Sequence, residues 1–118
     1  MEYINEKTGL QRAMGMKKLF IKFLNMFAGE NSQKQFADLE AGVASAKTPE
    51  EWVNCGNIAH AIKGIAGNLS LDPLFEISQT IMVEMRTGEP LKSELWAQYQ
   101  DVLANTRTAI TNYLAANA

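Results

Sequence analysis

The residues best placed to do chemistry lie between Gly56 and Leu71, in the run Gly-Asn-Ile-Ala-His-Ala-Ile-Lys-Gly-Ile-Ala-Gly-Asn-Leu-Ser-Leu, which contains the only histidine, His60. At about 100° per residue, Ile58, Ile62, Ile65 and Leu69 share one helical face, with Cys55 and Ala66 at its edge. His60 projects from the opposite side. Gly56 four residues before it, Lys63 three after, Gly64 four after and Gly67 seven after are its neighbours on the helix surface. A glycine inside a helix costs about 0.8–1 kcal/mol relative to alanine. Helix propensity does not account for three of them beside one imidazole, whereas access does: without side chains there, another molecule can approach the ring closely. A neutral imidazole offers a nucleophilic lone pair near neutral pH, and Lys63 brings a positive charge to the same place. The pattern is that of a surface nucleophile with an open approach and an anion-binding group at its side.

Other chemistries fit less well. With no second histidine and no Glu-x-x-His pair, a zinc or di-iron site lacks ligands. A Cys/His or Ser/His/Asp hydrolase is disfavoured because Cys55 falls on the apolar side of the same helix. Small residues can also serve close helix packing, but packing glycines belong on the buried side and these surround a polar group.

The elements that position His60 are helical. Thr48-Pro49-Glu50-Glu51 reads as an N-cap, a proline in the first turn and a closing capping box, so a long helix is expected from Pro49 to about Leu69. His60 then sits in mid-helix, on a rod held by its packed far face. Asp72-Pro73 repeats the cap-and-proline signal and opens a helix that Gly88 ends, with Leu74, Ile77, Ile81 and Met85 as its core stripe. Folding back around Ser70 and Leu71 brings Met82 level with His60. A last helix from about Lys92 to Ala115 carries Leu95, Tyr99, Val102, Leu103, Ile110 and Leu114, with Trp96 and Tyr113 at the edges. Upstream, Lys17–Ala46 is helical in pattern, with one stripe of Leu19, Phe20, Phe23, Leu24 and Phe27 and another of Phe36, Leu39 and Val43. The intervening Ala28-Gly-Glu-Asn-Ser32 permits either a bend or a break between two helices. Thr8 is expected to cap a short helix from Gly9 to Met14, and residues 1–8 to be loose, with Tyr3 and Ile4 available to pack. Four substantial amphipathic helices joined by short connections make an all-α fold, an antiparallel four-helix bundle.

Composition sets the outer bounds. The 118 residues are enough for one core, and 47 % hydrophobic content with three prolines suits a folded helical protein. A net charge of −2 with no dense basic run argues against nucleic acid as a partner. One cysteine excludes an internal disulfide. No apolar run approaches the roughly 18 residues of a membrane span, and the N-terminus lacks a signal pattern, so a cytoplasmic protein is expected.

The run His60-Ala-Ile-Lys63-Gly64-Ile-Ala66-Gly67 resembles the signature of the histidine-containing phosphotransfer (HPt) domain: His, then Lys-Gly at the third and fourth positions, then a small residue and Gly. The flanking helices also fit, so the resemblance takes in most of the chain: a single domain over 1–118 with its core bundle at about 10–115. It implies a four-helix bundle with a short N-terminal extra helix over the end near the histidine, and a phosphorelay intermediate without kinase activity. Its phosphoryl group is exchanged between His60 and the aspartate of response-regulator receiver domains. An upstream, often hybrid, sensor histidine kinase feeds such a relay, and Mg²⁺ is expected on the receiver, with no cofactor on this chain. By the same resemblance, Lys63 stabilises the phosphoryl oxygens and Gly56, Gly64 and Gly67 leave them room. Leu10, Met14, Met16 and Met82 form a docking rim, although Leu10 and the methionines could equally seal the core. Two departures stand out. Ser70 replaces a frequent glycine about ten residues after the histidine. Met82 stands where several members hold a glutamine near the imidazole, leaving Gln79, one turn away, as the nearest substitute. A monomer is expected, with a free-standing protein favoured and a fragment of a hybrid sensor kinase as a second alternative. The rival expectation is an adaptor that binds a receiver without accepting phosphate.

Overall fold

A computed structural model describes residues 2–118, and Met1 lies outside the described residues. It contains six helices, α1 (Glu6–Arg12), α2 (Lys17–Met26), α3 (Glu30–Ser45), α4 (Pro49–Asn68), α5 (Asp72–Met85) and α6 (Ser93–Ala116), and no strand among the described residues. No helix of these residues is long and apolar enough to cross a membrane.

Side-chain caps set the starts of α1 and α4. At the start of α4, the Glu51 N–H donates to Thr48 Oγ1 and the Thr48 N–H donates to Glu51 Oε1, both at 3.2 Å, which closes the expected capping box. Between α2 and α3 the chain breaks rather than bends. Gly29 is extended at φ −69° and ψ 161°, and the break is tied by Ser32 Oγ donating to the Met26 carbonyl and Gln33 Nε2 donating to the Phe27 carbonyl. The single stretch Lys17–Ala46 is therefore two helices. The short N-terminal helix also begins earlier than expected. Asn5, not Thr8, is its cap, accepting the Thr8 N–H on its side-chain oxygen at 3.1 Å, and Glu6 then favours the first turn.

The core is apolar and continuous, with Phe20, Leu24, Leu39, Ile62, Leu74 and Ile81 among its buried members. Each such side chain contributes about 1.5–3 kcal/mol of burial. The centre of the buried face of α4 is made of small residues, Cys55, Ala59 and Ala66 around Ile62, while Ile58 and Ile65 are half-buried. This face is rotated towards the histidine side compared with the isoleucine stripe. The small residues let α3 and α5 approach closely: Cys55 Sγ sits where a side chain on Gly42 would lie.

α5 runs antiparallel along α4, with Phe75 level with Gly67, Met82 level with His60 and Arg86 level with Gly56. α6 packs on α5, and its side chains also meet α3, where Arg107 donates to Gln33 and lies over the Phe36 ring. The N-terminal segment is strapped across the α4–α5 turn. The Asn5 N–H donates to the Ser70 carbonyl at 2.8 Å, Asn5 Nδ2 donates to Asp72, and the Tyr113 hydroxyl of α6 donates to Glu6 at 2.6 Å. Tyr3 and Ile4 do pack: Tyr3 accepts a hydrogen bond from Asn105, and Ile4 lies against the core.

Candidate functional site

His60 is exposed, a little over two turns short of the C-terminal end of α4 and flanked by helix on both sides. Its ring is anchored on one side only, where Nδ1 lies 3.2 Å from the Sδ of Met82 on α5. Nε2 has no hydrogen-bond partner among the described residues. The imidazole thus rests its inner nitrogen on α5 and presents its outer one to solvent.

Lys63, one turn further along α4, is half-buried. Its Nζ lies 5.4 Å from the centroid of the Phe75 ring, at a distance suited to cation–π attraction. Among the described residues its ammonium has no carboxylate within ion-pair distance, since the only salt bridge joins Lys34 and Asp38. An ammonium steered by an aromatic face and left unneutralised can still receive an anion.

The glycines divide. Gly64 is exposed, and a Cβ added there would meet nothing within 4 Å, so it leaves bare surface beside His60 as expected. Gly67 is half-buried against Phe75, whose ring edge would stand 3.3 Å from an added Cβ. Gly56 corrects the expectation of open access. It is buried, and an added Cβ would lie 3.2 Å from the Arg86 N and 3.3 Å from the Met82 carbonyl oxygen. On that flank of His60, α5 fills the space, and Gly56 serves close helix packing, the use that the sequence argument set aside.

Met82 is likewise not a rim residue: it is only 8 % exposed and lies under the imidazole. Gln79 is exposed and makes no side-chain hydrogen bond among the described residues, so it does not take the position beside the ring. The two rim candidates of the N-terminal helix part company too. Leu10 is half-buried on the core and seals it, whereas Met14 just past α1 is 77 % exposed. Met16 and Met26 are exposed as well, and Met26 shares a groove with Arg12, Phe23, Asn68 and Leu69.

Phe75 is the residue that sequence reasoning missed. The available signal was the register of α5 on α4: a glycine level with a phenylalanine leaves a slot for the ring, and the ring then lies under the lysine one turn away. Cys55 is buried as expected, with burial and then the charge of Glu51 pushing its thiol pKa up, which makes it a poor nucleophile. No group of His, Cys, Asp and Glu side chains among the described residues is arranged to hold a metal ion. No family model, curated protein or solved structure matches this chain.

Proposed function

We propose that this chain is a histidine phosphocarrier of the HPt kind, exchanging a phosphoryl group between His60 and the aspartate of receiver domains. The observation that carries the reading is the outer nitrogen of His60, without a partner among the described residues, on a mid-helix ring with Lys63 and bare Gly64 beside it. In the transfer, the lone pair of Nε2 attacks the phosphorus of an aspartyl phosphate. The P–N bond forms as the P–O bond to the aspartate breaks, the carboxylate leaves, and Nδ1 keeps its proton. Such a transfer needs in-line positioning and charge stabilisation more than covalent help from the protein. Lys63 supplies charge to the phosphoryl oxygens and Gly64 gives them room, while the receiver brings the aspartate and Mg²⁺. A sensor kinase stands upstream and the relay operates in the cytoplasm. On this reading α3, α4, α5 and α6 form the antiparallel four-helix bundle, and α1 and α2 lie across the end towards which α4 runs.

The test incubates the chain with a panel of phosphorylated receiver domains and follows the label. Acid-labile, alkali-stable label is expected on the wild type and is expected to be absent from His60→Gln. Receivers that bind the wild type yet pass it no label would leave a helical adaptor in place of the carrier.

A further inference from the structure

We infer that Met82 is a positioning residue that selects the tautomer of His60, an assignment about the same site that rests on the carrier reading for its purpose but not for its chemistry. A thioether sulfur accepts a hydrogen bond weakly and has no hydrogen to donate. With Nδ1 at 3.2 Å from Sδ, only one neutral tautomer makes an attractive contact, the one with the hydrogen on Nδ1. In the other tautomer two lone pairs would face each other across that distance. The bias matters because the imidazole of free histidine favours the opposite tautomer, with the hydrogen on Nε2 and the nucleophilic lone pair on Nδ1. In this chain that lone pair would point into α5, where no phosphoryl donor can reach. The sulfur moves it to the outward nitrogen.

The identity of the acceptor is the point. A side-chain amide at this position can turn over, donating to one tautomer and accepting from the other, and so selects neither by chemistry alone. A thioether enforces one. The sulfur is also well aimed: Met82 is 8 % exposed, on a helix brought close by the bare backbone of Gly56, whose missing Cβ would meet the Met82 carbonyl. Gly56 and Met82 thus form one device, in which close approach of α5 puts the sulfur under the ring.

The tautomer is read directly from the ¹⁵N shifts and two-bond couplings of the imidazole in uniformly labelled full-length protein, at a pH where the ring is neutral. His60 is the only histidine, so the signals need no further assignment. The wild type is expected to show a protonated Nδ1 and a bare Nε2. In Met82→Leu, which keeps the apolar volume and removes the acceptor, the population is expected to move towards the Nε2-protonated form. Phosphoryl uptake is then expected to slow by about 2- to 10-fold, the factor one net hydrogen bond supplies. A wild-type spectrum with the hydrogen on Nε2 overturns the assignment without any variant. So does a Met82→Leu protein, folded by circular dichroism, whose tautomer is unchanged. The carrier reading fails separately: a wild type protonated on Nδ1 that takes no label from any receiver keeps the role of Met82 and loses the relay.

Discussion

Gly64 and Gly56 stand four residues to either side of His60 and, in the sequence, have equal claims to a role in access; the structure gives them opposite physics. At Gly64 an added methyl group meets open space on an exposed helix, so Gly64→Ala recovers helix propensity with nothing to displace. Its stability is expected to rise by about 0.8–1 kcal/mol in urea denaturation. If the bare surface serves the incoming phosphoryl group, the same variant loses transfer rate while gaining stability. A variant both stabler and fully active would show that the glycine does not serve access. At Gly56 the methyl group meets backbone atoms of α5, which cannot swing aside as a side-chain tip can. Gly56→Ala is expected to lose about 1 kcal/mol net, overpacking outweighing propensity. Sequence pattern alone could not separate the two. It places residues on a strip but does not say which edge of the strip a neighbouring helix covers, and that depended on the rotation of α4 imposed by Ala59 and Ala66.

Element by element, the start of α4 was the most legible part, whereas Asp72 does not cap α5 as expected: Leu71 is the cap position, and Asp72 is the first helical residue, its carboxylate accepting from Asn5. Thr48-Pro49-Glu50-Glu51 begins α4 because the reciprocal hydrogen bonds of a capping box are local and owe nothing to tertiary context. The α2–α3 break was legible only as an alternative, because its ties, Ser32 to Met26 and Gln33 to Phe27, involve side chains whose partners a composition signal does not name. The C-terminal end of α4 carries a feature with a measurable consequence. Ser70 adopts φ +57°, the left-handed region, and its buried hydroxyl has no hydrogen-bond partner among the described residues. A side chain there costs about 1–2 kcal/mol, and glycine removes both that and the unsatisfied hydroxyl. Ser70→Gly is expected to stabilise the fold by about 1 kcal/mol after the added freedom of the unfolded chain is counted, read as a higher denaturation midpoint at unchanged slope. The strap formed by α1 and α6 has its own signature. Burial first, then the hydrogen bond to Glu6 and its charge, push the Tyr113 phenol up to about 12. The folded state therefore holds that proton after the unfolded chain has released it near pH 10. The stabilisation is complete below pH 10 and is lost as pH rises towards 12. Tyr113→Phe is expected to lessen the fall in melting temperature across that window and to leave the profile between pH 6 and 9 unchanged in shape.

For the molecule as a whole, the net charge of −2 conceals an uneven distribution. Between residues 7 and 29 the chain carries Lys7, Arg12, Lys17, Lys18 and Lys22 and no carboxylate, so the rest of the protein is strongly acidic. The basic segment is α1 beyond Glu6, α2 and their connection, and the exposed Met14, Met16 and Met26 belong to it. Lys18, Lys22 and Met26 follow one another at four-residue intervals along one outward strip of α2. Its inner edge, the groove of Arg12, Phe23 and Met26, reaches Asn68 and Leu69 of α4, about 12 Å along the helix from His60 at 1.5 Å per residue. A receiver presenting its phosphorylated aspartate to His60 would span that distance, and an acidic rim on it would be drawn to this end first. Such steering acts on encounter rather than on chemistry. Lys18→Glu combined with Lys22→Glu is expected to lower the second-order rate of phosphoryl uptake by about 10-fold at low salt. The rate at saturating receiver should stay unchanged, and the difference from wild type should shrink as ionic strength rises past about 0.15 M, where the Debye length falls to about 8 Å. Lys17 is left in place because its ammonium lies over the Tyr113 ring, so its loss would disturb the strap as well as the field. Stopped-flow uptake at several salt concentrations separates the outcomes. A double variant that matches wild type at every concentration would mean that the receiver approaches His60 from the open Gly64 flank without touching α2.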